Sequence, residues 1–445
     1  MGKVKENFDD AGALKLKPEN AKTKITRERL AKKKKRFVER GEKLGRAKIL
    51  THEEPGGIEM KEKNIPTTSI TQADIREAVD VVSATKSFEL TLDKFGPYRI
   101  NYTRNGRYIL LGGKRGHIAA FDWMTKELKH ETNVMETVRD VQWLHVNTMY
   151  AVAQKRWLRI YDHNGTELHC MKQLYDVVRL DFLPHHMLLV ASSNNSFLHY
   201  LDISTGNIVS SFPTKHGKLD VLSHNPTNAI VLTGSAKGVV SMWSPNSKQP
   251  LVELFAHKAP VRGIAVDESG TYMATTGLDR RLRIWDIRNY KQLQAYSMAS
   301  CFGEVAFSQR RHVAAATGRI VQVFKDAHLG QSRTPYMQHL CPSVVSDLQF
   351  CPYEDVLGVA YQNGFSSLLI PGSGDPNFDA LKENPFESKK QRQEREVKML
   401  LEKIQPELIT LDPADINKVN RANVERTLEY KTSVLRIKPD DINRD

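Results

Sequence analysis

Long apolar runs are missing from these 445 residues: stretches such as Tyr108–Leu111 and Leu368–Ile370 fall far short of the ~20 positions that span a bilayer. No apolar stretch follows Met1, and Glu6 does not fit a myristoylation signal, so a soluble intracellular protein with no membrane partner is expected. Cysteine is scarce. Cys170, Cys301, Cys341 and Cys351 form no C-x-x-C pair and have no histidine at zinc-finger spacing, which predicts isolated buried thiols in a reducing compartment. Catalytic signatures are lacking too. Gly112-Gly-Lys114 has neither the spacing nor the trailing Ser/Thr of a phosphate-binding loop, and no G-x-S-x-G or H-E-x-x-H occurs. His185-His186 falls in an expected turn, where a solvated pair is the reading rather than a metal site. No enzyme activity, cofactor or small-molecule substrate is therefore expected.

Apolar residues make up 40% of the chain, enough for a core, and the net charge is +13. That charge is unevenly placed. Residues 1–63 hold 19 Lys/Arg against 11 Asp/Glu, and Lys22–Lys48 alone holds 13 against 3. Within it Lys32, Lys33, Lys34, Lys35 and Arg36 run without a break, and Arg40 follows. Such a block suits RNA phosphates or a nuclear import receptor. Thr26–Arg40 has helical spacing, but Ile25, Leu30, Phe37 and Val38 give an apolar line too thin to bury on a core of its own. A basic extension partly disordered alone and ordered on RNA or a partner is expected.

Apolar segments ending in a turn recur along the chain: Ala119–Asp122, Arg159–Asp162, His199–Asp202, Ser241–Ser244, Arg283–Asp286, Gln322–Lys325 and Leu368–Pro371. Successive steps are 40, 40, 42, 42, 39 and 46 residues, the period of four-stranded propeller blades. Each unit carries short alternating strands separated by turn residues, as in Val261–Val266, Asp267–Gly270, Tyr272–Thr276, Gly277–Arg280 and Leu282–Trp285. The seventh unit runs into Pro371-Gly-Ser-Gly-Asp-Pro376 and has no fourth strand, while Ser87–Asp93 is a spare strand upstream. Pairing the two would close the ring and remove an exposed edge. The fold class predicted is all-β, a seven-bladed propeller over 86–372.

The unit resembles the WD repeat. In the fifth copy His257, Thr275 or Thr276, Asp279 and Trp285 stand where that repeat's buried hydrogen-bonded tetrad stands. Trp243 survives in the fourth, with Ser244 in place of Asp; the other units rest on periodicity. Core packing is expected to account for most of the five tryptophans.

The flanks are helical. Thr71 and Asp74 have capping-box spacing with Ile70 and Ile75 as a staple, and Ile75, Val79 and Val82 share a face, so a docking helix is expected in 70–85 after a basic extension over 1–69. In the C-terminal extension, 373–445, a second helix should start at Ser388 and run to Ile404 with Val397, Leu400, Leu401 and Ile404 as its stripe; a third should start at Asp412-Pro413. Lys389, Lys390, Arg392 and Arg395 on the second helix are candidate partner-binding residues.

Ser346–Asp355, Gly364–Gly374, Asp375–Ala380, Asn384-Pro-Phe-Glu387, Lys389–Glu396 and Leu400–Ile404 together resemble the C-terminal signature of the BING-type WD-repeat family, and the likeness spans about 70 to 435. That resemblance implies a nucleolar scaffold of the small-subunit processome, with precursor rRNA, the U3 small nucleolar RNA particle and other WD-repeat proteins as partners. A different class of function is suggested by Trp285-Asp286-Ile-Arg288, which resembles the box by which substrate receptors of cullin-type ubiquitin ligases dock on their adaptor.

Overall fold

The computed structural model describes residues 23–50 (side chains of 23–40), 56–59, 66–298, 300–330, 334–378 and 383–411. It divides into two units, 1–56 and 57–445. In the first, Lys24–Leu50 is one helix, α1. Ile25, Phe37 and Val38 are exposed on it, as a strip too narrow to form a core requires. The helix is longer than the predicted Thr26–Arg40.

The second unit is a seven-bladed β-propeller: seven separate four-stranded antiparallel sheets. The innermost strands are Tyr98–Tyr102, Val138–Trp143, Val177–Leu183, Val221–His224, Val261–Val266, Val305–Phe307 and Val345–Phe350, opening blades one to seven. The second and third strands of each blade are buried nearly throughout, as in Leu188–Ser193 and Val356–Tyr361, because both faces of every sheet pack on neighbouring blades. Fourth strands such as Glu127–Asn133 face water and are mostly polar.

Blade seven closes as the strand count predicted. Phe88–Thr91 pairs antiparallel with Gly364–Leu369, in register from Phe88 opposite Ser367 to Thr91 opposite Gly364. Its approach is fixed by Thr71, whose hydroxyl accepts from the Asp74 N–H while the Asp74 carboxylate accepts from the Thr71 N–H. The resulting helix α2, Gln72–Ala78, aims the Gln72 amide at blade seven, donating to the Leu369 carbonyl and accepting from the Leu369 N–H, both at 2.9 Å. The predicted docking helix does not continue. Val79 leaves helical backbone, a four-residue helix α3 follows at Val81–Ala84, and Val82 is 67% exposed. Ile58 and Ile70 pack on the same core cluster, and the Ile58 N–H donates to the Tyr336 hydroxyl at 2.8 Å.

The C-terminal helix α4, Lys389–Leu401, begins where expected, with a Ser388–Gln391 capping box, but ends at Leu401. Its stripe is not a docking face: Val397, Leu400 and Leu401 are exposed and it holds the propeller through polar side chains. The helix expected at Asp412 lies outside the described residues. Among those, no helix is long and apolar enough to cross a membrane. The thiols divide: Cys341 and Cys351 are buried, whereas Cys170 is half-buried and Cys301 exposed, correcting the expectation for two of the four.

Candidate functional site

Blade five carries the predicted tetrad, and Thr275 rather than Thr276 belongs to it. The Trp285 indole N–H donates to Thr275 Oγ1 at 2.9 Å, the hydroxyl lies 2.9 Å from His257 Nε2, and His257 Nδ1 donates to Asp279 Oδ1 at 3.0 Å. Thr276 bonds instead to the Gly303 carbonyl at 2.6 Å, tying blade five to blade six. Burial depresses the His257 pKa against the pull of Asp279, so the ring is neutral and serves as both donor and acceptor. Gly277 lets ring and carboxylate approach; a Cβ there would sit 2.7 Å from the His257 ring. Blade four keeps half of this chain, Trp243 Nε1 donating to Thr233 Oγ1 at 2.9 Å, with Lys237 where the Asp would stand. These residues hold blades together and touch no open surface chemistry.

The channel at the centre is a charged feature that the sequence reading did not find. Charged residues gather at the start of the innermost strands: Arg99, Asp140, Arg179, Glu304 and Asp347 stand at one register step, Arg139, Arg262 and Ser346 are the extra residue of a bulge, and Asp220 precedes its strand. Glu304 reaches across the axis. Its Oε1 accepts from Arg99 Nη1 of blade one at 3.1 Å and pairs with Arg179 of blade three, while Arg99 also lies 3.5 Å from Asp347. Burial raises the Glu304 pKa less than Arg179 and Arg99 lower it, so it stays ionised below the usual range. Burial pushes Asp347 the other way, up to about 6, despite Arg99. In a second role Asp347 accepts from the Ile100 N–H at 3.1 Å, as Asp140 does from the Leu180 N–H at 2.8 Å, tying each to the next blade's inner strand. The period of about 41 does not by itself reveal this cluster, because bulges shift which residue of each inner strand faces the axis.

A second interface is made by the C-terminal segment, which crosses the turns of one face. The Asn384 and Pro385 carbonyls accept from Asn105 and Arg107 of blade one. On blade two, Glu396 meets His145 at 3.3 Å and Arg392 donates to Asn147 at 3.3 Å. On blade three, Ile404 N–H donates to the His185 carbonyl at 2.9 Å, His186 Nδ1 donates to the Ile404 carbonyl at 3.1 Å, and Lys403 pairs with Asp202. On blade four, Ser244 donates to the Ile409 carbonyl at 2.9 Å and the Ile409 side chain is 2% exposed in a cluster with Trp243.

The candidate residues sort accordingly. His185-His186 is not a solvated pair: His186 is buried under this strap, and among the described residues no group of His, Cys, Asp and Glu could hold a metal ion. Arg392 and Arg395 are engaged within the chain, the latter with Glu387 at 3.0 Å, which leaves Lys389 and Lys390 exposed and facing outward. Lys32, Lys33, Lys34, Lys35, Arg36 and Arg40 are exposed along α1. Arg310 and Arg311 pair with Asp375 and Asp267. Arg288 turns back on Asp286 at 3.4 Å, closing the turn after Trp285.

Seven blades, a complete tetrad and a closing strand borrowed from upstream define a WD-repeat β-propeller. A family model for the N-terminal domain of nucleolar protein 10-like proteins, a β-propeller, matches residues 69–365, and one for the BING4CT (NUC141) domain matches 335–412. The chain is 52% identical over 431 residues to WD repeat-containing protein 46 of Caenorhabditis elegans, covering 97% of this chain and 74% of that protein. The human protein of that name is 49% identical, over 86% of this chain and 63% of its own length. U3 small nucleolar RNA-associated protein 7 of Saccharomyces cerevisiae is 42% identical, over 86% of this chain and 72% of its own. The chain belongs to the BING-type WD-repeat family that contains these proteins. A chain in the crystal structure of a mitotic checkpoint complex shares the propeller fold, with a TM-score of 0.55 at 16% identity over 64% of this chain and 94% of that one.

Proposed function

We propose that this protein is a non-enzymatic scaffold of ribosome biogenesis, working in the nucleolus as part of the small-subunit processome. The observation that carries the reading is its 42% identity, across most of both chains, to a protein named for association with U3 small nucleolar RNA. A rigid disc with two differently finished faces suits protein contacts, and the exposed lysines of α1 suit phosphates of precursor rRNA or of the U3 particle. Each phosphate neutralised there adds salt-sensitive, sequence-blind affinity. Nothing observed favours the ubiquitin-ligase reading, because Arg288 serves the turn that follows its own Trp-Asp pair. Affinity purification of the full chain at low salt, followed by RNA sequencing, tests the proposal. Small-subunit precursor RNA and U3 RNA are expected together; recovery of neither, with the protein intact, overturns it.

A further inference from the structure

The charges around the channel are not equally neutralised. Glu304 and Asp347 satisfy Arg99 and Arg179 in the depth of the channel. Towards the face that carries the turns between second and third strands, the channel widens into a cavity of about 680 Å³, within the ~300–1,000 Å³ range of ligand sites. Six cations line it (Arg99, Lys114, Arg139, Arg179, Lys218 and Arg262) against two carboxylates, Asp220 and Glu304. Arg262 and Lys114 are exposed at the rim and form no ion pair among the described residues; Arg139 is half-buried and reaches Asp176 at 2.6 Å, and Lys218 pairs with Asp220 at 2.7 Å. The floor is therefore closed and balanced, and the rim is open and basic.

The accessible apolar wall between the cations is aliphatic, formed by Val178, Val344 and Pro97. Two aromatic residues reach the lining, but Tyr98 is 0% exposed and Phe302 1%. Exposed aromatic rings are the usual platform on which a groove stacks unpaired bases. Their absence here removes the main contact by which a groove holds single-stranded RNA, while guanidinium forks beside aliphatic side chains fit carboxylates carried on an extended peptide. Because the Arg99–Glu304–Arg179 cluster blocks the axis, such a segment enters and leaves by the same mouth, as a chain end or a tight loop.

We propose that the basic mouth of the channel is a docking site for an acidic peptide segment of a partner protein, whose Asp or Glu side chains pair with Arg262, Lys114 and Arg139. The charge excess of the rim would also steer such a segment on approach. This inference stands on the channel geometry and does not depend on the ribosomal reading.

The test is fluorescence anisotropy of the full chain with a labelled peptide of alternating Glu and Val, beside a labelled oligouridylate. The peptide is expected to bind. Arg262→Glu should weaken it at least tenfold, with the melting temperature unchanged. Asp220→Lys, which removes the carboxylate paired with Lys218 and adds a cation to the lining, should tighten it several-fold. Neutralising Lys32–Arg36 should leave peptide binding intact. Failure of the peptide to bind overturns the proposal. So does loss of binding only when α1 is neutralised, which would place the peptide on the basic helix. A third overturning result is that Arg262→Glu weakens the oligouridylate and leaves the peptide untouched, which would make the mouth an RNA site.

Discussion

On the face of the propeller that carries the turns between first and second strands, the chain's own C-terminal segment crosses blades one to four in order and seats Ile409 in a buried cluster. On the opposite face the turns between second and third strands surround an open basic cavity, with only blade five locked by a full tetrad. The contrast separates two jobs. Residues of the strapped face are paired with main-chain and side-chain partners inside the chain, so changing them should cost stability. Rim residues of the open face have few internal partners, so changing them should cost binding and little else.

The strongest way to break this comparison is Ile409→Asp. A carboxylate forced into the cluster around Trp243 should cost about 4 kcal/mol or release the strap, seen as a lower melting temperature and as rapid proteolysis after residue 383. The control on the open face is Val344→Asp, at a side chain 54% exposed, where no measurable loss of stability is expected. Next comes the tetrad on the side of the open face. Thr275→Val strands the Trp285 N–H and His257 Nε2 in a buried site, for a loss of about 3 kcal/mol in thermal unfolding. Thr276→Val should cost less, because it removes one short bond to the Gly303 carbonyl at 2.6 Å and one long bond to the Gly263 carbonyl at 3.4 Å.

What the sequence made legible follows the same division. Blade number, the borrowed strand at Phe88–Thr91, and the capping boxes at Thr71 and Ser388 are local or periodic, and each was readable from spacing. The strap was not. Its partners lie some 160 to 280 residues away in sequence, as with Ser244 and Ile409 or Arg107 and Pro385, and its helix binds through Arg392 and Glu396 rather than through the apolar stripe that amphipathicity favours. The cluster of channel charges was hidden, since bulges such as those after Val138, Val177 and Val261 shift which side chain of a short inner strand faces the axis and its members share no single sequence position.

Acid should act through the buried histidines, and His312 is the sharpest case. It lies in the first-to-second turn of blade six, on the strapped side, where burial and then Lys325 bring its pKa down to about 4. The folded chain therefore stays neutral there while the unfolded chain gains a proton near pH 6.5, so stability is lost as pH falls from about 6.5 towards 4. The share from His312 between pH 6.5 and 5 is about 2 kcal/mol. His312→Phe keeps the ring packed on Tyr336 and replaces a buried Nε2 that has no hydrogen-bond partner. Thermal melts across this pH range should show a shallower slope in the variant; an unchanged slope would assign the acid sensitivity to other groups, such as His186 and His145 under the strap.

The smallest expected effect sharpens the comparison most. Arg262 is exposed at the mouth and forms no ion pair among the described residues, so Arg262→Ala removes solvated atoms and should move stability by less than about 0.5 kcal/mol. Arg179→Ala, in the depth of the same channel, leaves Glu304 with Arg99 alone across the axis and should be visibly destabilising. Denaturant unfolding of the two variants side by side decides whether the channel charges are one structural unit or two. Equal losses would mean that Arg262 also holds blades together. A loss confined to Arg179→Ala would leave the rim free for a ligand, because a charge that contributes nothing to folding stays available for binding.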